Sequence, residues 1–323
     1  MKKKKLKIGI LFGGKSAEHD VSLVSAKNVI GALDKNKYKV FPIKIEKSGK
    51  FNLNAIRKVD VIFPVLHGPF GEDGSMQGLL KILNMPFVGP GVLGSAVSMD
   101  KDVMKRLLKE AGIPIGKFLT IRQGEKISFK EATKKLGLPM FIKPANMGSS
   151  VGIHKVKNEK EFLSGLRDAF QYDIKIVIEE NINGQEIECS VLGNENPMAS
   201  IAGEIVPIND FYSYKAKYLD DKAADLLIPA RLSKNTVKKV QNMAIEVFKT
   251  LCCKGMGRVD FFVKKNGDII VNEINTIPGF TSISMYPKLW EASGIALPKL
   301  LDSLIVLAVE RFKEEQKLKS DYR

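Results

Sequence analysis

A hairpin signal within residues 255–279 constrains the fold of this chain more than any other stretch. Asn-Gly at 266–267 lies between two apolar runs and favours a two-residue type I′ turn, which needs positive φ at both central residues. A two-residue turn also fixes the register of the strands that flank it. The predicted pairs are Val263 with Ile270, Phe261 with Asn272, Asp260 with Glu273, and Arg258 with Asn275.

Side chains alternate between the two faces of a hairpin, so this register also predicts which residues share a face. The first face is expected to be mostly core and carries Val259, Phe261, Val263, Ile270 and Ile274. The second face is expected to carry Arg258, Asp260, Phe262, Val271, Glu273 and Asn275.

On the second face, Asp260 and Glu273 are predicted to lie directly opposite each other. At about 4 Å and an effective dielectric of about 20, two like charges repel by about 4 kcal/mol, so a partner has to offset them. Mg²⁺ prefers carboxylate and amide oxygens. We therefore predict a magnesium site at Asp260, Glu273 and Asn275, with the Arg258 guanidinium available for a phosphate or an oxyanion. A solvated polar face on an edge hairpin is the alternative.

The bulk composition bounds the class of protein. The chain has 323 residues, enough for two or three domains, with 44% hydrophobic and 27% charged residues, as in ordinary globular proteins. Its net charge of +15 comes from 51 basic and 36 acidic residues, part of them in the N-terminal run MKKKKLK. No aromatic residues interleave these lysines, so we expect a solvated tip and no nucleic-acid partner. A positive surface also suits an enzyme with anionic ligands.

The small numbers of cysteine and histidine residues exclude further classes of protein. Three cysteines cannot build a disulfide framework, which indicates a cytoplasmic location, and three histidines argue against a histidine-based zinc site. No apolar run approaches the roughly 20 residues of a membrane span, and the first run, IGILF, is too short for a signal peptide. We therefore expect no membrane association.

Short apolar strands alternate with helices in the first 98 residues. The predicted strands are 7–12, 39–45, 59–66 and 86–89, and the predicted helices are 18–33 and 77–83. This alternation predicts an α/β unit with a parallel sheet and covering helices. We place the three domains of the chain at 1–98, 99–184 and 185–323.

Two glycine motifs in the first unit match nucleotide-binding patterns but lack their context. Residues 9–16 fit the P-loop pattern, yet Gly9 lies inside the first predicted strand, where a phosphate cradle needs its first glycine at the strand end. Residues 89–94 fit G-x-G-x-x-G, but they contain a proline and lack a clear acid at a following strand end. A P-loop switch that uses Lys15 stays open as an alternative, as does a nucleic-acid binder based on the positive charge.

Polar residues that follow the first and third strands indicate a ligand site, because ligands of open α/β sheets bind at the carboxyl ends of strands. Glu18 follows the glycine turn at 13–14, and His67 follows the third strand. Glu18 is a candidate anchor for a substrate ammonium, with His67 in support. The alternative for Glu18 is a charge in the first turn of a helix, which the helix dipole favours.

The second unit combines a lysine with a glycine-rich loop. Lys143 lies near the end of the predicted strand 139–144, before loop 146–152, whose small residues let backbone N–H groups close over phosphates. Glu179 lies in a later strand and is a candidate to face a nucleobase. The other predicted elements of this unit are helix 101–111, strand 153–156 and strand 176–182.

The third unit contains the hairpin and a predicted substrate-covering loop. Residues 211–218 are rich in aromatic residues and lysine and show no clean period, which is typical of such a loop. The other predicted elements are strand 185–192, helix 233–251, helix 297–312 and a frayed tail at 313–323.

Six segments in a fixed order carry a family resemblance. They are GGKSAEHDVS at 13–22, HG at 67–68 with GEDG at 71–74, KP at 143–144 with GSSVG at 148–152, YKAKY at 214–218, GRVD at 257–260, and NEINTIPGFTS at 272–282. Together they resemble the D-alanine–D-alanine ligases, which belong to the ATP-grasp enzymes. The resemblance implies an α/β fold of ATP-grasp type, with an N-terminal parallel-sheet domain and two α+β lobes that clamp ATP.

The resemblance also implies a reaction, the ATP-dependent ligation of two D-alanines through an acylphosphate, for peptidoglycan precursors. The implied ATP-binding residues are Lys101, Lys143, Ser150, Glu179, Ile182, Glu186 and Lys217. The implied ligands of two Mg²⁺ ions, or of Mn²⁺, are Asp260, Glu273 and Asn275. Glu18 and His67 are expected to bind the first D-alanine and Ser284 the second. Arg258 and the Gly279 N–H are expected to stabilise the oxyanion, and Ser149, Tyr218 and Glu18 to link loop, lid and substrate site.

The second substrate is the open part of this prediction. By resemblance, Tyr218 favours D-alanine, and an ATP-grasp ligase for another D-amino acid or D-lactate is the same-fold alternative. Asp20, where many relatives carry glutamate, is the one departure beside the site. A homodimer is expected by family analogy.

Overall fold

The computed structural model describes residues 4–207 and 224–319. Its strands are β1 (Leu6–Gly13), β2 (Tyr38–Ile45), β3 (Val61–Val65), β4 (Phe118–Arg122), β5 (Met140–Pro144), β6 (His154–Val156), β7 (Lys175–Glu180), β8 (Gln185–Gly193), β9 (Met198–Pro207), β10 (Ala224–Leu227), β11 (Gly255–Val263) and β12 (Ile269–Asn275). Its helices are α1 (His19–Ala32), α2 (Leu53–Ile56), α3 (Ser75–Ile82), α4 (Val92–Met99), α5 (Lys101–Glu110), α6 (Phe129–Leu136), α7 (Glu159–Ala169), α8 (Lys234–Thr250), α9 (Met285–Ala292) and α10 (Leu297–Gln316).

The first sheet is parallel, as predicted, with strand order β2-β1-β3. Gly9 lies inside β1, and a Cβ atom there would come within 2.8 Å of the Ile62 side chain. Close packing inside β1 therefore explains this glycine, which does not lie at the strand end where a P-loop needs its first glycine. The predicted strand at 86–89 is also wrong in extent, since a single bridge joins Phe87 to Ile62. The glycine motif at 89–94 leads into α4, a helix that was not predicted.

The second sheet is antiparallel, with strand order β4-β7-β5-β6. Its apolar side packs against α6 and α7 through buried residues that include Ile142, Phe162 and Ile178. α6 begins at a capping box in which Ser128 and Glu131 satisfy each other's backbone N–H groups. The glycine-rich loop connects β5 to β6, so the sheet holds both ends of this loop.

The third sheet has strand order β10-β9-β8-β11-β12 and contains the predicted hairpin. The turn of this hairpin differs from the predicted type I′ turn. Lys264 N–H donates to Asp268 O at 2.9 Å, so three residues rather than two form the loop. Gly267 has a φ of 87°, whereas Asn266 is not among the residues with positive φ. A type I turn that ends in a left-handed glycine has this form.

The extra loop residue shifts the register next to the turn, and a β-bulge at Asp260 and Phe261 restores it farther away. The predicted pairs near the turn are therefore wrong: Phe261 pairs with Val271 and Val263 pairs with Ile269. As a result, Val271 is fully buried, whereas Ile270 is half-buried on the polar face, the reverse of the prediction. The pairs that carry the polar side chains are confirmed: Arg258 with Asn275, and Asp260 with Glu273.

The last helix joins the ends of the chain into one core. α10 contributes buried leucines to a cluster that also contains Ile8 and Phe63 of the first sheet. Arg311 Nη2 donates to Phe87 O at 2.8 Å, and its guanidinium lies 4.5 Å from the centroid of the Phe87 ring. The helix continues to Gln316, so the predicted frayed tail begins too early. Within the described ranges, no single helix is long and apolar enough to cross a membrane, and α9 and α10 reach that length only as a pair bent by 106°.

Candidate active site

A cavity of about 400 Å³ lies among the loops after β1 and β3, the glycine-rich loop, and one face of β8, β11 and β12. Many of the residues predicted from the sequence line this cavity. They are Glu18, His67, Ser149, Glu186, Arg258, Asp260, Glu273, Asn275, Gly279 and Ser284. Residues from all three sheets and their loops therefore meet at one place.

Glu18 connects the first unit to the glycine-rich loop. It precedes α1, is only 6% exposed, and its carboxylate accepts a hydrogen bond from Ser149 Oγ. Ser149 and Ser150 have φ values of 51° and 61°, a left-handed conformation that is rare for residues other than glycine. Such backbone strain is typical of functional loops. The loop therefore lies closed against Glu18 in this structure.

His67 lines the same cavity but does not hydrogen-bond to Glu18 in the described contacts. Its Nδ1 atom lies 3.0 Å from Ile277 O. Burial lowers the pKa of His67 to about 4, so the ring is neutral near pH 7 and Nδ1 carries the proton donated to Ile277. Nε2 is then an acceptor, and it is buried without a hydrogen-bond partner in the part of the chain that the structure describes.

Glu72 is a site residue to which the sequence assigned no role. Its carboxylate accepts hydrogen bonds from Gly68 N at 2.7 Å and Ile277 N at 3.1 Å, which ties the loop after β3 to the segment after β12. Burial, together with the negative charge of Glu18, raises the pKa of Glu72 to about 8. The cavity wall is therefore crowded with carboxyl groups.

The hairpin face carries three acids in one cross-strand line, here called the carboxylate row: Glu188 on β8, Asp260 on β11 and Glu273 on β12. Arg258 offsets part of this charge through two bonds to Asp260, at 2.8 and 2.7 Å, and an ion pair with Glu188 at 2.8 Å. Asn275 Nδ2 also donates to Asp260, at 3.0 Å. Glu188 was not predicted, although it lies two residues after Glu186 and therefore on the same strand face.

Lys101 connects the carboxylate row to the glycine-rich loop. Its ammonium donates to Met147 O at 2.8 Å and lies 3.5 Å from the Glu273 carboxylate. Behind it, Lys143 and Lys105 lie 2.6 and 3.1 Å from the Glu179 carboxylate. Burial opposes ionisation of Glu179, but the two lysines outweigh burial and lower its pKa to about 2. Lys105 was not predicted, although it lies one helical turn after Lys101.

Gly279 and Ser284 form the part of the wall that follows β12. A Cβ atom on Gly279 would lie 2.7 Å from Ser284 Oγ, so only glycine leaves room for this contact. Ser284 Oγ accepts a hydrogen bond from Thr281 N at 2.9 Å. Phe280 N donates to Ser25 Oγ at 3.2 Å, which fixes the segment against α1. The Gly279 backbone therefore faces the cavity from a well-anchored segment.

Family models match most of the chain. The model described as the D-ala D-ala ligase C-terminus matches residues 107–306, and the model of the N-terminus matches residues 7–56 and 51–90. The chain belongs to the D-alanine–D-alanine ligase family. It is therefore a ligase, and the family predicted from the six sequence motifs is confirmed.

Relatives of this ligase match it over nearly its full length. A D-alanine–D-alanine ligase from Oceanobacillus iheyensis is 49% identical, with 98% of each chain covered. The solved D-alanine–D-alanine ligase from Coxiella burnetii is 39% identical with a TM-score of 0.88, and the match covers 97% of this chain and 96% of that one. The Bacillus anthracis enzyme complexed with ATP is 33% identical with a TM-score of 0.83, covering 96% and 99%. The predicted ATP-grasp fold is confirmed.

Of the remaining predicted residues of this ligase, five are described by the structure but do not line the cavity, and two lie outside the described ranges. Lys101, Lys143 and Glu179 form the lysine and glutamate cluster next to it, and Ser150 follows Ser149 in the loop. Ile182 packs against the Gly116 position, where a Cβ atom would come within 2.8 Å of its side chain. Lys217, Tyr218 and the predicted covering loop lie outside the residues that the structure describes.

Proposed function

We propose that this ligase joins two D-alanines to D-alanyl-D-alanine with ATP, for peptidoglycan precursor synthesis. The names of relatives that match it over nearly their full length support this proposal. The single most important observation is the meeting of Glu18, the carboxylate row, Arg258 and Gly279 around one cavity. An amino-acid substrate needs protein groups that bind its ammonium, its reacting carboxylate and the charge that develops on that carboxylate during the reaction. This lining offers all three.

Glu18 and His67 supply the environment for the first D-alanine. The buried Glu18 carboxylate suits the substrate ammonium. The neutral His67 ring presents Nε2 as an acceptor, so it can accept a hydrogen bond from a donor group of the substrate without adding positive charge to the site. In this arrangement the substrate carboxylate is directed away from Glu18, since two carboxylates repel.

The donor chemistry of the carboxylate row fits Mg²⁺ or Mn²⁺. Asp260 and Glu273 are paired across the hairpin, and the Asn275 amide, which contacts Asp260, offers a further oxygen beside them. We infer that Asp260, Glu273 and Asn275 hold two divalent ions. When bound, such ions neutralise phosphate oxygens and the excess carboxylate charge.

ATP is proposed to lie between the lobes 99–184 and 185–323, with the first D-alanine bound against domain 1–98. Phosphates are assigned to Lys101, Lys143, Ser150 and Lys217, and the adenosine to Glu179, Ile182 and Glu186. Lys143 contacts Glu179 in this structure, so we expect it to exchange or share that contact when a phosphate enters. Tyr218 is proposed to complete the link between Ser149 and Glu18.

The chemistry proceeds in two steps. A carboxylate oxygen of the first D-alanine attacks the γ-phosphorus of ATP, the bond to the β-phosphate oxygen breaks, and ADP leaves. The amine of the second D-alanine then attacks the acyl carbon, an oxyanion forms, and the C–O bond breaks with release of phosphate and a proton. Arg258 and the Gly279 N–H are assigned to the oxyanion, where preorganised donors contribute most. Ser284 is assigned to the carboxylate of the second D-alanine.

We also propose that this ligase is located in the cytoplasm. The three cysteines are unpaired thiols, which suits the reducing cytoplasm. A homodimer stays a prediction that rests on family analogy.

The testing experiment measures phosphate release with Mg·ATP and D-alanine, with L-alanine, D-lactate and D-serine in parallel. Among the four compounds supplied singly, we expect only D-alanine to support phosphate release, together with a dipeptide identified by mass spectrometry. Comparable release when D-lactate or D-serine accompanies D-alanine, with the mixed product present, would assign the ligase to a different acceptor. No release with any substrate would overturn the proposed reaction.

A further inference from the structure

One part of the cavity wall has an apolar base and a lysine to which no role is assigned. Met285 at the start of α9 is buried with Ile205 of β9, and Leu226 of β10 packs against them. Lys288, on the same helix, also lines the cavity and is half-buried. An apolar base with a lysine beside it suits a small amino acid that presents a methyl group and a carboxylate.

Helix geometry directs Lys288 toward Ser284. Ser284 is the residue that precedes α9, and Lys288 lies four positions later, so the two share one face of the helix. Helical side chains lean toward the N-terminus of their helix, which carries the lysine stem back toward Ser284. Both residues line the cavity, and the ammonium can therefore reach a ligand that the Ser284 hydroxyl also contacts.

The carboxylates of the cavity favour a cation beside the carboxylate of a second substrate. The lining contains the carboxylate row together with Glu18, Glu186 and Asp225. Arg258 is engaged by Asp260 and Glu188. Lys288, by contrast, forms no ion pair with Asp225 or with any other residue in 4–207 or 224–319. A second carboxylate that enters this lining is repelled unless a cation offsets its charge.

We propose that Lys288 binds the carboxylate of the second D-amino acid together with Ser284, and so selects acceptors that carry a free carboxylate. This inference rests on the proposed function and adds a substrate-binding residue to it. It also assigns the neighbouring apolar surface of Ile205, Leu226 and Met285 to the side chain of the acceptor.

The test compares wild type, Lys288→Met and Lys288→Arg in steady-state kinetics at saturating ATP, and Lys299→Met serves as the control. Lys299 is an exposed lysine at the start of α10 and does not line the cavity. We expect Lys288→Met to raise the KM for the second D-alanine about tenfold, the scale of one lost charge-assisted hydrogen bond. The kcat is expected to change less than twofold, Lys288→Arg to recover most of the affinity, and Lys299→Met to match wild type.

D-alaninamide separates carboxylate binding from a merely structural role. It has no free carboxylate to be phosphorylated, so it serves only as the second substrate beside a low concentration of D-alanine. We expect Lys288→Met to leave the KM for D-alaninamide unchanged. Equal KM values for D-alanine in wild type and Lys288→Met, or an equal rise for D-alanine and D-alaninamide, would overturn the inference while leaving the proposed function intact. A wild-type protein that releases no phosphate with D-alanine would overturn both.

Discussion

Ser149 and Glu18 are 131 positions apart in the chain, and the hydroxyl of the first donates a hydrogen bond to the carboxylate of the second. This contact joins the tip of the glycine-rich loop to the loop before α1. The glycine-rich loop is thereby closed over the residue that is proposed to hold the first substrate. This hydrogen bond couples a candidate nucleotide loop to a candidate amino-acid site.

Replacing Ser149 tests this coupling. We expect Ser149→Ala to lower kcat/KM for D-alanine about tenfold, because one hydrogen bond to a charged group is lost. Ser149→Gly removes the same hydroxyl but fits the left-handed backbone better, so it is the matched control for strain. Similar losses in both variants would assign the effect to the hydroxyl. Wild-type kinetics in Ser149→Ala would show that the contact does not assist the reaction.

His67 makes stability depend on pH. Because its folded pKa is about 4 and the ordinary value is 6.5, the folded protein binds fewer protons at this site between these pH values. The contribution of the neutral His67 ring to the free energy of unfolding is therefore present above pH 6.5. It is lost as the pH falls toward 4, and the loss is about 3 kcal/mol at most. We expect urea unfolding of His67→Gln to show a shallower loss of stability than wild type in this window. Parallel curves would contradict this expectation.

Arg258→Lys tests the guanidinium fork on the hairpin face. Lysine keeps the charge but not the bidentate geometry, so we expect kcat to fall about 100-fold, as when one oxyanion donor is removed. Arg231→Lys is a matched control, because Arg231 also binds a carboxylate through two nitrogens, that of Glu204, and does not line the cavity. We expect this control to keep kcat within about twofold of wild type. Steady-state kinetics with equal losses in both variants would contradict a special role for Arg258.

Lys175 is a buried cation whose loss is expected to destabilise the fold. Its ammonium lies 2.5 Å from Asp100 and 3.6 Å from Asp102, and Asp100 caps the helix that carries Lys101. Lys175→Met leaves the buried Asp102 and the half-buried Asp100 without their ammonium partner, so we expect a loss of about 3 kcal/mol in the free energy of unfolding.

The control for Lys175 is the surface pair of Lys254 and Glu195, joined at 2.6 Å. Lys254→Met is expected to cost less than about 1 kcal/mol, because exposed pairs are screened by water. Asp100→Asn combined with Lys175→Met is expected to cost less than the sum of the single changes. Chemical denaturation of these variants decides between a buried ion pair that stabilises the fold and one that contributes nothing.

Local patterns predicted the elements of the hairpin but not every pair within it. Asp260 and Glu273 were placed correctly, yet Val263 and Ile270 were not, because a three-residue loop and a compensating bulge replaced the simple turn. Asn-Gly does not by itself distinguish these turns, since glycine supplies positive φ in both. β8 pairs with β11 on its other side along the whole strand, from Gly255 to Val263, so the bulge lies within a fully paired strand.

Buried charges to which the sequence assigned no role were the main omission in the candidate site. Glu188 and Lys105 contact residues that were predicted, and Glu72 lines the same cavity. Each of the three lies in a segment that is locally typical of a turn, a strand or a solvated helix face. Their roles arise from partners far along the chain, such as Ile277 for Glu72 and Glu179 for Lys105. Helix spacing or strand alternation suggests Lys105 and Glu188, whereas nothing local indicates that Glu72 is held by Ile277.

The sequence by itself determined the parallel first sheet, the acid pair of the hairpin, the glycine-rich loop and the family to which the chain belongs. These features depend on side-chain periodicity, turn residues and motif order, which are local properties of a chain. The family resemblance had already implied a link between Ser149 and Glu18, and the structure contains that hydrogen bond. Only the tertiary structure decided that Lys143 and Lys105 share Glu179, and that Lys288 faces the same cavity as Ser284. These contacts depend on how three sheets pack against one another, and packing is set by the summed burial of distant residues rather than by any local pattern.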